Sequence, residues 1–310
     1  MITLKHLRYF AALAQHGHFG RAADACAISQ PALSLQVKDL EGLAGAPLVE
    51  RGHRQIRLTA LGETFAARAR AILQSVDDLT DLARAAESTL VGTFTIGMIP
   101  TVAPYMMPAV IRRLIEAFPG IDLRPREAVT GKLIEDLAGS RLDVAVVALP
   151  VSEPGLQEYP LFDEEFILVR PRADRLKPVP SSDMLREMRL LLLEEGHCFR
   201  DQALAFCHMS SNPQRELMEG SSLSTLVGMV GTGIGVTLIP EMAVASEAGR
   251  ADVATARLAP PRPTRRIGMV WRKTNPLSEH FIQIGGIVRE AHASLGASDA
   301  APLGREPGQP

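Results

Sequence analysis

The sequence has few cysteines and no long hydrophobic run. Three of its 310 residues are cysteine, too few for the disulfide framework that holds small secreted proteins together. No run of about eighteen apolar residues occurs, so a membrane-spanning helix is excluded, and residues 1–20 lack the apolar segment of a signal peptide. These absences predict a cytoplasmic protein with its own hydrophobic core and no membrane contact. The length allows about two domains.

A strong net charge is also missing, since the formal charge is only −2. The charges are nevertheless unevenly distributed: residues 1–70 carry a balance of +4, and the remaining 240 residues carry −6. A small basic segment joined to a larger acidic one is typical of a DNA-contacting module attached to another domain. A difference of four charges also arises by chance, so the charge pattern alone does not decide between these interpretations.

The basic segment has the hydrophobic spacing of three short helices, over residues 4–14, 21–27 and 31–42. Ser29 is a good N-cap for the third helix, and Pro31 suits its first turn. Two helices separated by a tight turn, the second of them polar on its outer face, predict a helix-turn-helix. The second helix of such a pair enters the major groove of DNA.

The candidate DNA contacts are polar or basic side chains on this helix and on a predicted wing. The wing consists of two short strands around a polar turn at residues 52–54. Side chains of these types bond base edges on the helix and the phosphate backbone or minor groove on the wing, although each is also an ordinary solvent-exposed residue. The candidates are Gln30, Pro31, Ser34, Gln36 and Lys38 on the helix, with Arg51, Arg54 and Arg57 on the wing.

A long helix is predicted over residues 60–87. Its apolar residues recur at alternating steps of four and three, which is the heptad spacing of a helix that pairs with another helix. We therefore predict a dimer through this helix, with packing against its own domain as the alternative. The heptad positions are Phe65, Ala69, Ile72, Val76, Leu79, Ala83 and Ala86.

From about Gly92 onward, short apolar segments alternate with amphipathic ones, which predicts an α/β fold with a largely parallel sheet. The Pro- and Gly-rich residues 297–310 predict a disordered tail. The predicted strands cover residues 93–99, 122–126, 144–148, 166–170, 190–193, 236–239 and 267–271. The predicted helices cover residues 106–117, 131–138, 223–230 and 279–293.

Two cysteines, Cys198 and Cys207, are separated by eight residues in the acidic part of the chain. Cys198 stands beside His197 and Arg200, near the start of an apparent helix over residues 201–207. A helix N-terminus and neighbouring cationic groups favour the thiolate form. A thiolate can attack peroxide to give a sulfenic acid, which a second thiol converts to a disulfide.

These two cysteines cannot pair while the segment between them is one helix. Nine helical steps separate them by about 13 Å and put them on opposite faces, whereas a disulfide needs Cα atoms within about 7 Å. Oxidation would therefore have to unwind the segment. Three alternatives stay open on spacing alone: inert core cysteines, a zinc site with His197 and His208, and a thiol peroxidase that turns over substrate. Cys26, beside alanines in the basic segment, is expected to pack in a core.

Several motifs of the basic segment occur together in one known family. They are Ala22-Ala23, residues 28–34 (I-S-Q-P-A-L-S), Leu40-Glu41, Pro47-Leu48, Glu50-Arg51 and Leu58-Thr59. With them the segment resembles the winged helix-turn-helix of LysR-type transcriptional regulators, and the layout of the whole chain is similar to that family. Gly42, near the end of the predicted recognition helix, and Val49, where a Phe is common, depart from its pattern.

The resemblance implies how the chain is divided and which partners it has. It implies a winged helix-turn-helix at 1–59, a dimerising linker helix at 60–89, and a two-lobed regulatory domain like a periplasmic binding protein at 90–296. It also implies a homodimer or homotetramer on double-stranded DNA, with RNA polymerase as a partner. The implied lobes are about residues 90–163 with 267–296 for lobe I and about residues 164–266 for lobe II.

The segment from Gly196 to Cys207 is similar to the redox segment of the hydrogen-peroxide-sensing members of this family, as are residues 99–105 and the pair His18-Phe19. That likeness implies that Cys198 is the peroxidatic cysteine and Cys207 the resolving one. It leaves open whether Arg265 or Arg266 enters the pocket, because Arg266 stands where a small polar residue is expected. The implied peroxide-binding residues are Thr101, Thr130, His197, Asp201 and Arg265.

We therefore expect an activator of oxidative-stress genes, reset by a cellular thiol reductant, with no metal, no cofactor and no enzymatic activity. Two other functions compete with it. One is a LysR-type regulator gated by a small metabolite in the cleft between the lobes, with incidental cysteines. The other is a thiol peroxidase whose basic segment is vestigial.

Overall fold

The structure, a computed structural model, describes residues 1–50, 56–85, 90–207 and 218–298. The chain forms two compact units, Met1–Ala83 and Arg84–Pro310. Among the described residues, no helix combines the length and the apolar character needed to cross a membrane. The predicted boundaries at 59/60 and 89/90 stay predictions, and the predicted tail falls mostly outside the described residues.

The first unit consists of helices and one two-stranded ladder. Ser29 caps the third helix as predicted, since its Oγ accepts a hydrogen bond from the backbone N–H of Ala32. The buried face of that helix carries Leu33, Val37 and Leu40, which pack into one core with Phe10. The elements are α1 (Leu4–His16), α2 (Phe19–Ala25), α3 (Gln30–Ala44), β1 (Val49–Glu50), β2 (Arg57–Leu58) and α4 (Ala60–Ala85).

The predicted heptad positions of α4 divide into a packed half and an exposed half. The Phe65 ring meets the Phe10 ring edge-on at 5.6 Å, and Ala69 is buried. Farther along, Ile72 is 48% exposed and Leu79 is 67% exposed. Ala86 and the side chain of Ala83 lie outside the described part of the chain. The start of the heptad thus packs on its own unit, and its continuation leaves apolar side chains in solvent, while dimerisation through this helix stays a prediction.

Helix α4 begins against the segment that leads into β1. A Cβ atom at Gly62 would overlap the backbone carbonyl oxygen of Leu48, so only glycine allows this approach. We expect Gly62→Ala to lower the free energy of unfolding by about 1–3 kcal/mol, the usual cost of overpacking. Urea unfolding, monitored through the loss of helix content, measures this free energy.

Gly42→Ala is the matched control, because a Cβ at Gly42 in α3 would meet nothing within 4 Å. Helix propensity should make this variant more stable than wild type by roughly 0.5–1 kcal/mol. A Gly62→Ala chain as stable as the Gly42→Ala chain would contradict the packing described here.

The second unit is built on a mixed sheet with the strand order β4-β3-β5-β11-β6-β9-β7-β8, and β10 pairs with β6. Its strands are β3 (Gly92–Met98), β4 (Ile121–Glu127), β5 (Val144–Leu149), β6 (Leu156–Pro171), β7 (Leu190–Leu193), β8 (Met218–Gly220), β9 (Val236–Pro240), β10 (Val253–Arg257) and β11 (Thr264–Arg272). Its helices are α5 (Ala103–Ala117), α6 (Thr130–Ala138), α7 (Ser182–Glu187), α8 (Cys198–Phe206), α9 (Leu223–Gly231), α10 (Val244–Ala248) and α11 (Ser278–Ser298).

Two hydrophobic cores divide this unit into two lobes. The lobe I core includes Ile96 and Phe281, and the lobe II core includes Leu191 and Leu238. The long strands β6 and β11 pair with each other antiparallel and run through both lobes. The predicted lobe boundaries at 163/164 and 266/267 fall inside these two strands.

The predicted mixed α/β architecture is confirmed, but the expectation of a largely parallel sheet is wrong. Pairing is parallel within each lobe, where β3 pairs with β4 and β5, and β7 pairs with β8 and β9. It is antiparallel wherever β6 or β11 takes part. The chain passes between the lobes through these two strands, and their antiparallel pairing makes the sheet mixed.

Candidate thiol site and nucleic-acid interface

The two cysteines stand at opposite ends of α8. Cys198 is the first residue of the helix and Cys207 is its C-cap, so about 13 Å of helix axis separates them. Cys198 packs against the lobe I core, whereas Cys207 is fully buried in the lobe II core. Both thiols are free. The helix begins three residues before the predicted start at 201, which puts Cys198 within its first turn.

A small pocket opens beside Cys198. It contains about 160 Å³ of space between atoms, part of it open to solvent. Thr101, Thr130 and His197 line it with Cys198, and each follows a β-strand of the parallel part of the sheet. The carboxyl ends of parallel strands are a common place for ligand sites. The complete lining is Ile99, Pro100, Thr101, Val129, Thr130, His197, Cys198 and Phe199.

The hydroxyl groups of the two threonines differ in their hydrogen bonding. Thr101 Oγ1 accepts a hydrogen bond of 2.7 Å from Nη1 of Arg265. Thr130 Oγ1 is buried and has no hydrogen-bond partner among the described residues. Buried hydroxyl groups normally form a hydrogen bond. Thr130 Oγ1 is therefore the polar atom of this pocket that would gain most from a hydrogen bond to a ligand.

Arg265 is the arginine that points inward. Its guanidinium is fully buried and donates hydrogen bonds of 3.1 and 2.9 Å, from Nε and Nη2, to Oε2 of Glu164. It also lies 5.2 Å from the ring centre of Phe199, the residue after Cys198. Arg266 instead points to solvent and pairs with Asp163 at 2.7 Å. Side chains alternate along β11, so Arg265 faces the interior and Arg266 the solvent. Arg265 touches the pocket lining at Thr101 without lining the pocket itself, so its role toward peroxide stays a prediction.

Two side chains near Cys198 are placed differently from the expectation. Arg200 is buried and directs its guanidinium to the carbonyl oxygen of Leu193 at 2.8 Å and to Glu219 at 2.6 Å. The prediction that Arg200 supports the thiolate is therefore wrong, because its charge is already paired. Asp201 is exposed in the first turn of α8 and does not line the pocket.

Two buried acidic side chains with long-range partners were missed at the sequence level. Glu164 is buried, and its Oε1 accepts a hydrogen bond from the backbone N–H of Met242 while Oε2 pairs with Arg265. Glu247 in α10 is also buried and accepts a 2.9 Å hydrogen bond from the Tyr105 hydroxyl of α5. No local pattern marks either residue, because their partners are distant in the sequence.

Burial shifts the pKa values of two groups at the ends of α8. It raises the pKa of the Cys207 thiol to about 11. It lowers the pKa of His197 below its usual value, against a smaller opposing effect of Glu194 and Glu127. His197 is therefore neutral at pH 7 and offers one N–H donor and one acceptor nitrogen.

We expect iodoacetamide at pH 8 to label Cys198 and to leave Cys207 unmodified in the folded chain, since Cys207 is fully buried and its thiol stays protonated. In urea both should react. Peptide mass spectrometry measures both labels, and rapid labelling of Cys207 without urea would contradict its burial in the lobe II core.

The same thiol predicts a pH dependence of stability. Because the folded-state pKa of Cys207 is raised from 9.0 to about 11, its contribution to stability is complete below about pH 9 and is lost as the pH rises toward 11. The urea midpoint of the wild type should therefore fall more steeply between pH 9 and 11 than that of Cys207→Ala. Parallel curves for the two proteins would contradict this.

The candidate DNA contacts lie on the outer face of α3 and beside it. Gln30, Pro31, Ser34 and Lys38 are exposed, and Gln36 is half-buried. Arg57 is exposed on β2, whereas Arg51 and Arg54 lie outside the described residues.

Leu35 lies on the same face and is 57% exposed. An exposed leucine between candidate DNA-contacting polar residues suits contact with a thymine methyl group. The predicted contacts included only polar, basic and proline residues. The signal was present, since Leu35 falls outside the buried series of Leu33, Val37 and Leu40.

Comparison with known families accounts for both units. Residues 4–63 match the family described as "Bacterial regulatory helix-turn-helix protein, lysR family", and residues 87–292 match "LysR substrate binding domain". The chain belongs to the LysR family. The resemblance of the basic segment to the helix-turn-helix of LysR-type regulators is thus confirmed. A helix-turn-helix of this family implies DNA binding.

Individual relatives within the LysR family are similar to this chain over nearly its whole length. The chain is 42% identical, over 94% of its length and 95% of the relative, to a probable hydrogen peroxide-inducible genes activator of Streptomyces viridosporus. It is 38% identical, over 93% of its length and 95% of the relative, to the DNA-binding transcriptional dual regulator OxyR of Escherichia coli K12. The resemblance of the chain to the hydrogen peroxide-responsive members of the LysR family is therefore confirmed.

Solved structures of LysR-family proteins are similar to the structure of this chain. A cysteine variant of full-length OxyR from Pseudomonas aeruginosa matches with a TM-score of 0.74 and 36% identity, covering 93% of this chain and 95% of that one. A cysteine variant of OxyR from Corynebacterium glutamicum with bound H2O2 matches with a TM-score of 0.66 and 34% identity, covering 98% of this chain and 97% of that one.

Proposed function

We propose that the chain is a DNA-binding transcriptional activator that senses hydrogen peroxide through a reversible disulfide between Cys198 and Cys207. The observation that carries the proposal is the placement of the thiols at opposite ends of α8, one at a polar pocket and the other buried in a hydrophobic core. Relatives named hydrogen peroxide-inducible genes activator support it.

The chemistry proceeds in two steps. The Cys198 thiolate attacks one peroxide oxygen, so an S–O bond forms, the O–O bond breaks, and the second oxygen leaves as hydroxide and takes up a proton. The Cys207 sulfur then attacks the sulfenic sulfur, so the S–S bond forms and the hydroxyl group leaves as water. The two thiols lose two electrons, and peroxide becomes two molecules of water.

The pocket residues hold the peroxide for the first step. Thr101 accepts a hydrogen bond from Arg265, so its own hydroxyl hydrogen is free to bond a peroxide oxygen. Thr130 offers an unpartnered hydroxyl, and neutral His197 offers a donor or an acceptor. Arg265, whose charge is paired with Glu164, acts by fixing the Thr101 hydroxyl through this hydrogen bond. Asp201, exposed outside the pocket, has no part in this arrangement.

The second step requires a change of fold. Since α8 keeps the two sulfurs far apart, the disulfide forms only after the helix unwinds and Cys207 leaves the lobe II core. One covalent bond is thereby converted into a conformational change of the regulatory domain at 90–296. Each chain reacts once and is reset by a cellular thiol reductant, so the proposal includes no enzymatic turnover.

The conformational change acts on DNA through the head at 1–59 and the linker helix at 60–89. The outer face of α3 reads the major groove, and Arg57 with Arg51 and Arg54 contacts the flanking backbone. Exposed Ile72 and Leu79 on α4 support dimerisation through this helix, and two dimers form the homotetramer on double-stranded DNA. The new spacing of the heads then favours contact with RNA polymerase.

A metabolite-gated regulator is not favoured. Relatives that match the chain over 93–94% of its length are named for hydrogen peroxide rather than for a metabolite.

The test uses a DNA fragment selected from a random-sequence pool by the wild-type chain. We expect one equivalent of peroxide per chain to change the footprint on this fragment, to cross-link Cys198 with Cys207 in peptide maps, and to be reversed by dithiothreitol. Cys26→Ser is the control and should behave as wild type. A cross-link with an unchanged footprint would contradict a regulatory role, and peroxide consumption in dithiothreitol at high turnover, with an unchanged footprint, would favour the peroxidase.

A further inference from the structure

The described part of the wing is a two-stranded ladder. It pairs Val49 with Leu58 and Glu50 with Arg57. An isolated two-stranded ribbon is at best marginally stable in water. Contacts from outside the ladder must therefore position the wing beside α3.

Glu41 of α3 supplies one such contact. Its Oε1 accepts hydrogen bonds from two successive backbone N–H groups, 2.8 Å from Leu48 and 3.1 Å from Val49. Hydrogen bonds to an ionised carboxylate are roughly twice as strong as neutral ones. Glu41 itself is half-buried, and its carboxylate points at the entry to β1 rather than at the outer face of α3.

The start of α4 supplies the opposing contact. The Thr59 hydroxyl donates a 3.0 Å hydrogen bond to the carbonyl of Pro47, and its backbone N–H donates one of 3.1 Å to the carbonyl of Leu48. Leu48 is fully buried between these contacts. The segment 47–49 is thus held by a side chain of α3 and by Thr59, the residue directly before α4.

We propose that Glu41 is a positioning residue for DNA binding, which fixes the wing at a set distance from the recognition helix without touching DNA. The inference rests on the DNA-binding function proposed above. The inference also predicts a direction for the change in DNA affinity that charge alone does not explain. Removing a carboxylate from a DNA-binding head should strengthen binding if only charge matters, whereas losing the anchor should weaken it.

The test compares Glu41→Ala, Glu41→Gln and wild type on the selected DNA fragment, by hydroxyl-radical footprinting and by the salt dependence of the affinity. We expect Glu41→Ala to bind about tenfold more weakly, to lose the outer protections of each half-site, and to show a salt slope smaller by about 1 for each lost phosphate contact. The central protections due to α3 should remain. Glu41→Gln keeps the acceptor oxygen and should restore the outer protections.

Glu63→Ala is the matched control, because it removes one exposed carboxylate from the same unit and should bind as well as wild type or more tightly. Wild-type protections and slope in Glu41→Ala would overturn the inference while leaving the DNA-binding function intact. A wild-type chain that selects no DNA would instead overturn the proposed function.

If circular dichroism shows that Glu41→Ala has lost its helices, Glu41→Asp takes its place. The aspartate keeps the charge but is one methylene shorter, so it cannot reach both amides and should lose the outer protections. A full set of protections in Glu41→Asp would overturn the inference.

Discussion

Cys198→Ser is expected to abolish the reaction with peroxide, while Cys207→Ser is expected to stop the reaction at the sulfenic acid of Cys198. A serine hydroxyl is not ionised at neutral pH and cannot replace the attacking sulfur. Without Cys207 the first step still occurs, but no second thiol converts the sulfenic acid to a disulfide. Cys198→Ser should therefore consume no peroxide, and Cys207→Ser should consume one equivalent and gain one oxygen atom in mass.

The measurement is intact-protein mass spectrometry after stoichiometric peroxide, with dimedone to trap the sulfenic acid. Cys26→Ser controls for the third thiol, whose pKa is raised by burial, and should form the disulfide like wild type. Peroxide-dependent oxidation of Cys26 or Cys207 in the Cys198→Ser chain, at the wild-type rate, would contradict the assignment of the peroxidatic cysteine.

Arg265→Met is expected to cost about 3–5 kcal/mol of stability, the usual effect of removing one partner from a buried ion pair. Glu164, itself buried at 4% exposure, would lose its counter-ion, and Thr101 would lose its donor. The methionine fills most of the volume, so the cost reflects charge and hydrogen bonding rather than a cavity. Urea unfolding of the full chain measures it.

Arg266→Met provides the comparison at the next position of the same strand. Its ion pair with Asp163 is exposed on both sides, so its loss should cost far less stability than the loss of the Arg265 pair. The double variant Glu164→Gln, Arg265→Met should be more stable than Arg265→Met alone, because no unpaired charge stays buried. Equal costs at 265 and 266 would contradict the inward placement of Arg265.

Local patterns predicted most of the secondary structure, and their failures have physical causes. Strands β5 and β7 match the predictions closely because each is a continuous apolar run with clear ends, and β3 matches because its apolar residues alternate with threonine and glycine. Strand β6 was predicted from 166 but begins at Leu156, since its first half is charged and gains its order from pairing with β11. The short strands β8 and β10 were missed because three to five residues carry little periodic signal.

The candidate thiol site was predictable in part. Cys198, Thr101, Thr130 and His197 meet at one pocket, which a resemblance to relatives implied and spacing alone did not. The ion pair of Arg265 joins residues that are 101 positions apart, so no local pattern reveals it.

The central claim is that the Cys198–Cys207 disulfide and helix α8 exclude each other, and hydrogen exchange tests it most directly. In the reduced chain the helical amides of residues 202–206 should be protected, because each bonds a carbonyl one turn earlier. After one equivalent of peroxide, the same amides should exchange at least about a hundredfold faster, the result of losing roughly 3 kcal/mol of protection, while the 198–207 cross-link accumulates. A chain that carries this cross-link and keeps the reduced-state protection of α8 would contradict the account.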